Sequence, residues 1–198
     1  MESPDTPGGF TFGRALVAAK VRKQIVVLQR MGRRDNADAV TEATHQMESL
    51  VGMIADCGTR DELMGMEGAA ARQYFQAMGE IVPEGVRFEG RSGRPPADVI
   101  NAALSYGYAI LLGEAVSALC AAGLDPAIGL LHAEEDRRPS LALDLMEEFR
   151  PLIVDQVVVA AARRNTLTGA HGRREEAVPG VLLTKAGKEG SAPSSVDT

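Results

Sequence analysis

Residues 129–151 read GLLHAEEDRRPSLALDLMEEFRP, and the rest of the chain is best understood outward from them. A short apolar run ends at His132, a charged loop follows, and a helical pattern begins at Ser140. The Ser140 hydroxyl can cap this helix, because it can accept a hydrogen bond from an unpaired amide of the first turn. Apolar residues then recur at helical spacing, which predicts one buried face.

Acidic residues share this predicted helix. Asp144, Glu147 and Glu148 lie about one turn apart, so their carboxylates project close together and repel one another. A cation is therefore expected among them. A divalent metal ion would serve, and so would an arginine such as Arg137 or Arg150.

Composition favours packing of helix on helix. The chain has 198 residues, 45% of them hydrophobic and only 4% aromatic, with no Trp. Abundant Ala, Leu, Val and Met with few aromatics argue against a β sandwich. We expect an all-α fold, a helical bundle with irregular termini. The formal net charge of −6 shows that the chain as a whole is not a polycation, so any DNA binding must depend on local sites.

Cysteine content and hydropathy exclude several other classes of protein. Cys57 and Cys120 are the only cysteines, too few for a disulfide framework or a four-ligand zinc site. We find no segment typical of a secretory signal and no apolar run that approaches the roughly 20 residues needed to span a bilayer. The sequence therefore predicts a soluble cytoplasmic protein without a membrane segment.

Periodicity predicts one helical domain over residues 14–183. Helices are expected over about 14–30, over about 36–56, from Thr59 onward, and over about 95–122. Thr59 and Glu62 match the capping-box pattern that starts the third of these. We expect residues 1–13 to be a disordered N-terminal segment and residues 184–198 a disordered tail.

Two polar features leave alternatives open. Gly65 and Gly68 flank Glu67 inside a predicted helix, where each glycine costs roughly 1 kcal/mol against alanine. Either they allow close helix packing, with Glu67 paired to an arginine, or they leave a smooth wall for a bulky ligand. A polar stripe, Asp98, Asn101 and Ser105, either supports a site through hydrogen bonds or faces solvent.

Glu67, His132 and Glu147 come from three separate segments. Two carboxylates and one imidazole suit Mg²⁺ or Mn²⁺, with water completing the shell. Asp144 could orient a ligand or join the coordination. The alternatives are a structural role for His132 and a solvated acidic face for Glu147 and Glu148.

Four motifs then occur in a familiar order. The motifs are residues 65–68 with Tyr74 and Phe75, residues 95–108, residues 123–132, and residues 140–151. Together they resemble the CRISPR-associated spacer-acquisition endonucleases, the integrase subunit of bacterial adaptive immunity. The resemblance covers roughly residues 14–183.

The resemblance implies a divalent-metal-dependent DNA endonuclease and integrase. It places the metal ligands at Glu67, His132 and Glu147, with Asp144 as an additional acidic residue of the catalytic site. It implies spacer and repeat DNA as substrates, a small CRISPR-associated partner subunit, and a homodimer in full-length members. Candidates for steering DNA by charge are Arg14, Lys20, Lys23, Arg91, Arg137 and Arg138.

One departure from the family concerns its N-terminal β-rich domain, for which residues 1–13 leave no room. We therefore expect the catalytic domain alone, from a truncated gene, a mis-called start or a split gene. The alternative function is a catalytically silent helical remnant that only binds DNA or a partner subunit.

Overall fold

The computed structural model describes residues 7–32, 37–129 and 139–190. Over these ranges the chain is mainly helical, and the all-α prediction is confirmed. The helices are α1 (Pro7–Gly32), α2 (Ala37–Ile54), α3 (Arg60–Ile81), α4 (Val99–Ala121), α5 (Ser140–Glu147), α6 (Gln156–Arg163) and α7 (Lys185–Glu189). A π-helical segment (Arg150–Asp155), a 3-10 turn (Gly169–His171) and an antiparallel pair of strands, β1 (Gly172–Glu175) and β2 (Val178–Leu183), complete the fold.

Helices α1, α2 and α3 pack against one another and form one half of the core. Their inward residues include Leu28, Met47 and Tyr74, each with no exposed surface. The predicted capping box is present at the start of α3, where the Thr59 side chain accepts from the Glu62 amide and the Glu62 side chain accepts from the Thr59 amide. This cap fixes where α3 begins, and thereby where Glu67 lies along it.

The second half of the core forms around α4, which contacts α5, the π-helical segment and β2. Pro151 stands at the start of the π-helical segment, between α5 and α6. A proline there lacks the amide that would continue α5 regularly, so the predicted break in the helix takes this form. The predicted Ser140 cap is wrong: Pro139 holds the cap position, and Ser140 is the fully buried first residue of α5.

The predicted termini need correction where the structure describes them. Helix α1 begins at Pro7 rather than near Arg14, and the Arg14 guanidinium lies 5.2 Å from the centre of the Phe10 ring, which packs on the core. Near the C-terminus, Thr184 caps α7 by accepting from the Gly187 amide. Residues 7–13 and 185–189 are therefore helical rather than disordered. Residues 1–6 and 191–198 lie outside the described ranges.

The two strands were not predicted. The segment 172–183 is short and rich in Gly, Arg and Glu. It therefore shows little of the alternation of apolar and polar residues that marks a strand. The pair forms because Val181 and Leu183 are buried on one face of β2. The Val181 amide also donates to the Pro96 carbonyl, at 2.9 Å, which ties the hairpin to the loop before α4.

Helix α4 is long and apolar enough to cross a membrane by length and composition, with a hydropathy of 1.4 over its most apolar window. Core helices of soluble proteins meet the same criterion, and α4 packs here against α5, the π-helical segment, α6 and β2. It also contains Asn101, which is fully buried and hydrogen-bonded to Arg91. This criterion is therefore weak evidence for a membrane span.

Two glycines of α4 provide a matched test of this packing. A Cβ atom at Gly107 would lie 2.5 Å from Val154 Cγ1 in the π-helical segment, whereas one at Gly113 would meet nothing within 4 Å. We expect Gly107→Ala to lower the free energy of unfolding by about 1–3 kcal/mol, because Val154 is too stiff to yield. Gly113→Ala should raise it by roughly 0.5–1 kcal/mol, through helix propensity alone. Urea denaturation followed by circular dichroism measures both, and equal effects of the two variants would contradict the packing described here.

Candidate functional site

Glu67 and Glu147 converge on one ammonium group. Glu67 projects from α3, Glu147 is the last residue of α5, and Lys20 reaches between them from α1. Lys20 Nζ lies 2.5 Å from Glu67 Oε1 and 2.6 Å from Glu147 Oε2. The side chains are only 13%, 16% and 10% exposed for Lys20, Glu67 and Glu147. Two carboxylates from different helices thus share one largely buried cation.

The local charges explain why this arrangement is stable. Burial by itself would lower the pKa of Lys20, but the charges of Glu147 and Glu67 outweigh burial and raise it above its ordinary value. Arg150 forms a second ion pair with Glu147, through Glu147 Oε1. Glu147 therefore contacts two cations, and the repulsion between the two carboxylates is offset.

The structure brings together two of the four residues predicted for the site. Asp144 lies one turn before Glu147 on α5 and is 1% exposed. His132 falls outside the described residues, as do Arg137 and Arg138. Within the described part of the chain, no three His, Cys, Asp or Glu side chains cluster closely enough to hold a metal ion.

The donor set around the ammonium nonetheless fits a hard divalent ion. Each carboxylate already presents one oxygen to a shared cation, and oxygen is the ligand that Mg²⁺ and Mn²⁺ prefer. Both oxygens lie within 2.6 Å of the same point. Small shifts of the two side chains would bring them to the shorter distances that Mg²⁺ requires.

The glycines beside Glu67 leave open space rather than a tight helix contact. A Cβ atom built at Gly65 or Gly68 would meet nothing within 4 Å. Close helix packing is therefore not the reason for these glycines, and Glu67 pairs with a lysine rather than an arginine. Gly68 instead lines a cavity, which supports the smooth-wall interpretation.

Two neighbouring cavities lie next to the acidic pair of Glu67 and Glu147, and Glu147 lines one of them. One, of about 450 Å³, has Glu147 and Lys20 in its wall, and the other, of about 740 Å³, has Gly68. They share Ala71, Phe75 and Arg91 as lining residues. The remaining cations along the two cavities are Arg72, Arg87, Arg94, Arg150 and Arg174, and they outnumber the acidic lining residues even though Arg87 pairs with Glu89. A chain with net negative charge thus presents a locally basic depression beside two carboxylates.

Arg91 is held at the junction of the two cavities by the polar stripe of α4. Its guanidinium donates to Asn101 Oδ1 at 2.8 Å and to Ser105 Oγ at 3.0 Å. Asn101 is itself fixed by Asp98, which caps α4. The stripe therefore supports the site, and the alternative that it faces solvent is wrong for Asn101, which is fully buried.

A buried network next to Arg91 is not evident from the sequence. Tyr74 and Tyr108 donate from their hydroxyls to the two oxygens of Asp155, at 2.9 and 2.6 Å. Burial raises the pKa of Asp155 to about 6, although the two hydroxyls and nearby Arg150 and Arg91 act in the opposite direction. The only available signal was an aspartate inside the apolar run of residues 152–159.

This network reaches the acidic pair through Arg150. The Arg150 guanidinium lies 4.9 Å from the centre of the Tyr108 ring and also pairs with Glu147. The Arg91 guanidinium lies 5.4 Å from the centre of the same ring. Tyr108 thus lies within cation–π distance of two arginines that line the smaller cavity.

Not every predicted DNA-steering cation lies at this depression. Arg14 donates to the carbonyls of Ala55 and Cys57, where it closes the turn after α2. Lys23 is exposed on α1. Lys20 and Arg91 do lie at the site, Lys20 between the carboxylates and Arg91 between the cavities.

Comparison with known proteins finds similar sequences over nearly the whole chain. Residues 3–192 match the family "CRISPR associated protein Cas1". The chain is 45% identical over 181 residues to a CRISPR-associated endonuclease Cas1 of Thermus thermophilus, which covers 91% of this chain and 54% of that protein. Here the chain spans about half the length of its relative.

Solved structures share the fold. A Cas1 protein from Thermotoga maritima superimposes with a TM-score of 0.78 at 27% identity, covering 94% of this chain and 57% of that one. A chain of a Cas6-RT-Cas1–Cas2 complex gives a TM-score of 0.84 at 26% identity, covering 94% of this chain and 21% of that one. The ordered motifs, the helical fold and the extent of these matches lead to one conclusion: the chain belongs to the CRISPR-associated Cas1 family.

Proposed function

We propose that this chain is the catalytic domain of a divalent-metal-dependent DNA endonuclease and integrase that takes part in spacer acquisition in the cytoplasm. The observation that carries the proposal is the convergence of Glu67 and Glu147 on one cation beside a basic depression. A carboxylate pair and a basic lining are the two features that phosphodiester chemistry needs, one for a metal ion and one for the DNA backbone.

The proposed ligands are Glu67, Glu147 and His132, with Asp144 as an additional acidic residue of the site. Mg²⁺ or Mn²⁺ held there would polarise a phosphoryl oxygen and activate a water or a 3′-hydroxyl. Glu67 is set by the capped helix α3, and Glu147 by its position at the end of α5. Both carboxylates are therefore positioned before substrate arrives.

The basic side chains have a separate role in this proposal. Arg91, Arg94 and Arg150 line the smaller cavity with Glu147, and Arg72, Arg87 and Arg174 line the larger one. A phosphate chain lying across both cavities would pass Arg91 at their junction and bring one phosphodiester next to Glu147. Arg91 is held by Asn101 and Ser105, so little side-chain freedom is lost when it contacts a phosphate.

The substrates and the protein partner are proposed from the family to which the chain belongs. We propose spacer and repeat DNA as substrates and a small CRISPR-associated subunit as partner, in line with the Cas6-RT-Cas1–Cas2 assembly to which one structural neighbour belongs. A homodimer is proposed for full-length members of the family.

The test is cleavage of branched and single-stranded DNA by the purified chain. We expect cleavage with Mn²⁺ or Mg²⁺, none with excess chelator, and none for His132→Ala. Circular dichroism must show that the variant is folded. Cleavage that survives both chelator and His132→Ala would overturn the proposal. DNA binding without any turnover would instead support the silent remnant.

A further inference from the structure

Lys20 lies at the point where a metal ion would have to bind. Its ammonium contacts one oxygen of Glu67 and one of Glu147, at 2.5 and 2.6 Å, and it does so from inside a largely buried site. A divalent ion and the ammonium cannot share this position, because both need the same two oxygens and carry the same sign of charge. One must leave when the other arrives.

The site holds space and an acceptor for the displaced ammonium. Lys20 and Gln24 lie one turn apart on α1 and both line the cavity of about 450 Å³. Gln24 is 3% exposed, and its Oε1 is buried without a hydrogen-bond partner among the residues that the structure describes. Residues four apart on a helix share one face, so the Lys20 ammonium can reach Gln24 by rotating within the cavity.

An acceptor left unpaired in a buried position is costly unless some state of the protein satisfies it. The metal-bound state would do so here. Lys20 would leave the carboxylates, donate to Gln24 Oε1, and remain next to the phosphate-binding depression.

We propose that Lys20 is an internal cation that holds Glu67 and Glu147 together in the metal-free protein, and that a divalent ion binds by displacing its ammonium toward Gln24. This inference rests on the proposed metal-dependent function. It makes Lys20 a positioning residue that lowers the affinity for metal and keeps the two carboxylates preorganised.

Mn²⁺ binding to the purified chain, measured by isothermal titration calorimetry without DNA, tests the exchange. We expect Lys20→Met to bind Mn²⁺ at least tenfold more tightly than the wild type, because no ammonium competes. Lys20→Arg keeps a competing cation and should not gain affinity. Lys23→Met, which removes an exposed lysine of the same helix, should bind as the wild type does.

The outcomes separate this inference from the proposed function. If the wild type binds Mn²⁺ and Lys20→Met binds it equally or more weakly, the exchange is overturned while the metal site stands. If no form of the protein binds Mn²⁺, both proposals fall. Gln24→Met should weaken Mn²⁺ binding at least threefold, and an unchanged affinity would remove Gln24 from the exchange.

A measurement on the unmodified protein covers the case in which Lys20→Met does not fold. Acetylation of lysine amines, followed by peptide mass spectrometry, reports how freely each amine reacts. Saturating Mn²⁺ should raise the labelling rate of Lys20 severalfold, because the ammonium leaves its two carboxylates, and should leave Lys23 unchanged. Equal labelling of Lys20 with and without bound Mn²⁺ would overturn the exchange.

Discussion

Replacing Glu147 with alanine is expected to lower metal-dependent DNA cleavage by roughly a thousandfold or more, since a bound metal supplies several kcal/mol of transition-state stabilisation. Glu147 is the carboxylate that lines the smaller cavity and contacts both Lys20 and Arg150. Its loss removes one proposed metal ligand and the carboxylate that pairs with Arg150. Single-turnover cleavage of labelled DNA in Mn²⁺ measures the effect.

Glu148→Ala is the matched control, because it removes the next acidic residue of the same segment, which has no role in the proposed site. It should retain near wild-type cleavage. Circular dichroism and thermal melting must show that both variants are folded. A folded Glu147→Ala variant that cleaves at the wild-type rate would exclude Glu147 from the chemistry.

At about pH 4, Asp155→Ala is expected to lower the free energy of unfolding by about 2–4 kcal/mol, the cost of leaving the hydroxyls of Tyr74 and Tyr108 without their acceptor. Tyr74 is fully buried, and its hydroxyl donates to a carboxylate oxygen of Asp155 that alanine removes. In a chain of this length the melting temperature should fall by roughly 10 °C. Asp155→Asn keeps one oxygen and should lose less, and Asp56→Ala, at an exposed position, should change stability by less than about 0.5 kcal/mol.

The same aspartate gives a pH dependence of defined sign. Its pKa is about 6 in the folded chain, against an ordinary value of 3.8, so the folded state holds the proton more tightly than the unfolded state does. The stability that Asp155 contributes is therefore greatest at low pH and declines as pH rises from about 4 to 6. Relative to Asp155→Asn, the wild type should lose about 3 kcal/mol across this window in urea denaturation. A difference that does not change with pH, or that changes in the opposite direction, would contradict the buried environment of Asp155.

Features set by local sequence could be predicted. The capping box of Thr59 and Glu62 marks where α3 starts, and apolar spacing marks the α-helical class. Flanking glycines mark Glu67 as a candidate site residue, and the recurrence of acidic residues along one helix marks Glu147. Their convergence was an expectation from residue chemistry and family resemblance, and the structure places them on one cation.

Features that depend on distant contacts could not be predicted. Lys20 is one of several cations on α1, and nothing in its neighbourhood distinguishes it from Lys23, yet only α1–α3 packing brings it to Glu67. Asp155 gains its partners from α3 and α4, which lie 81 and 47 residues away along the chain. The β1–β2 pair buries Val181 and Leu183, and the Val181 amide donates to the Pro96 carbonyl; neither contact is visible in the local sequence pattern.

The central claim is that Glu67 and Glu147 hold one divalent ion in place of the Lys20 ammonium. Anomalous diffraction from crystals of this chain soaked in Mn²⁺ tests it most directly. We predict one manganese peak within about 2.5 Å of a carboxylate oxygen of each glutamate, with Lys20 turned away. Saturating Mn²⁺ with no peak there, and Lys20 still bridging the two glutamates, would contradict it.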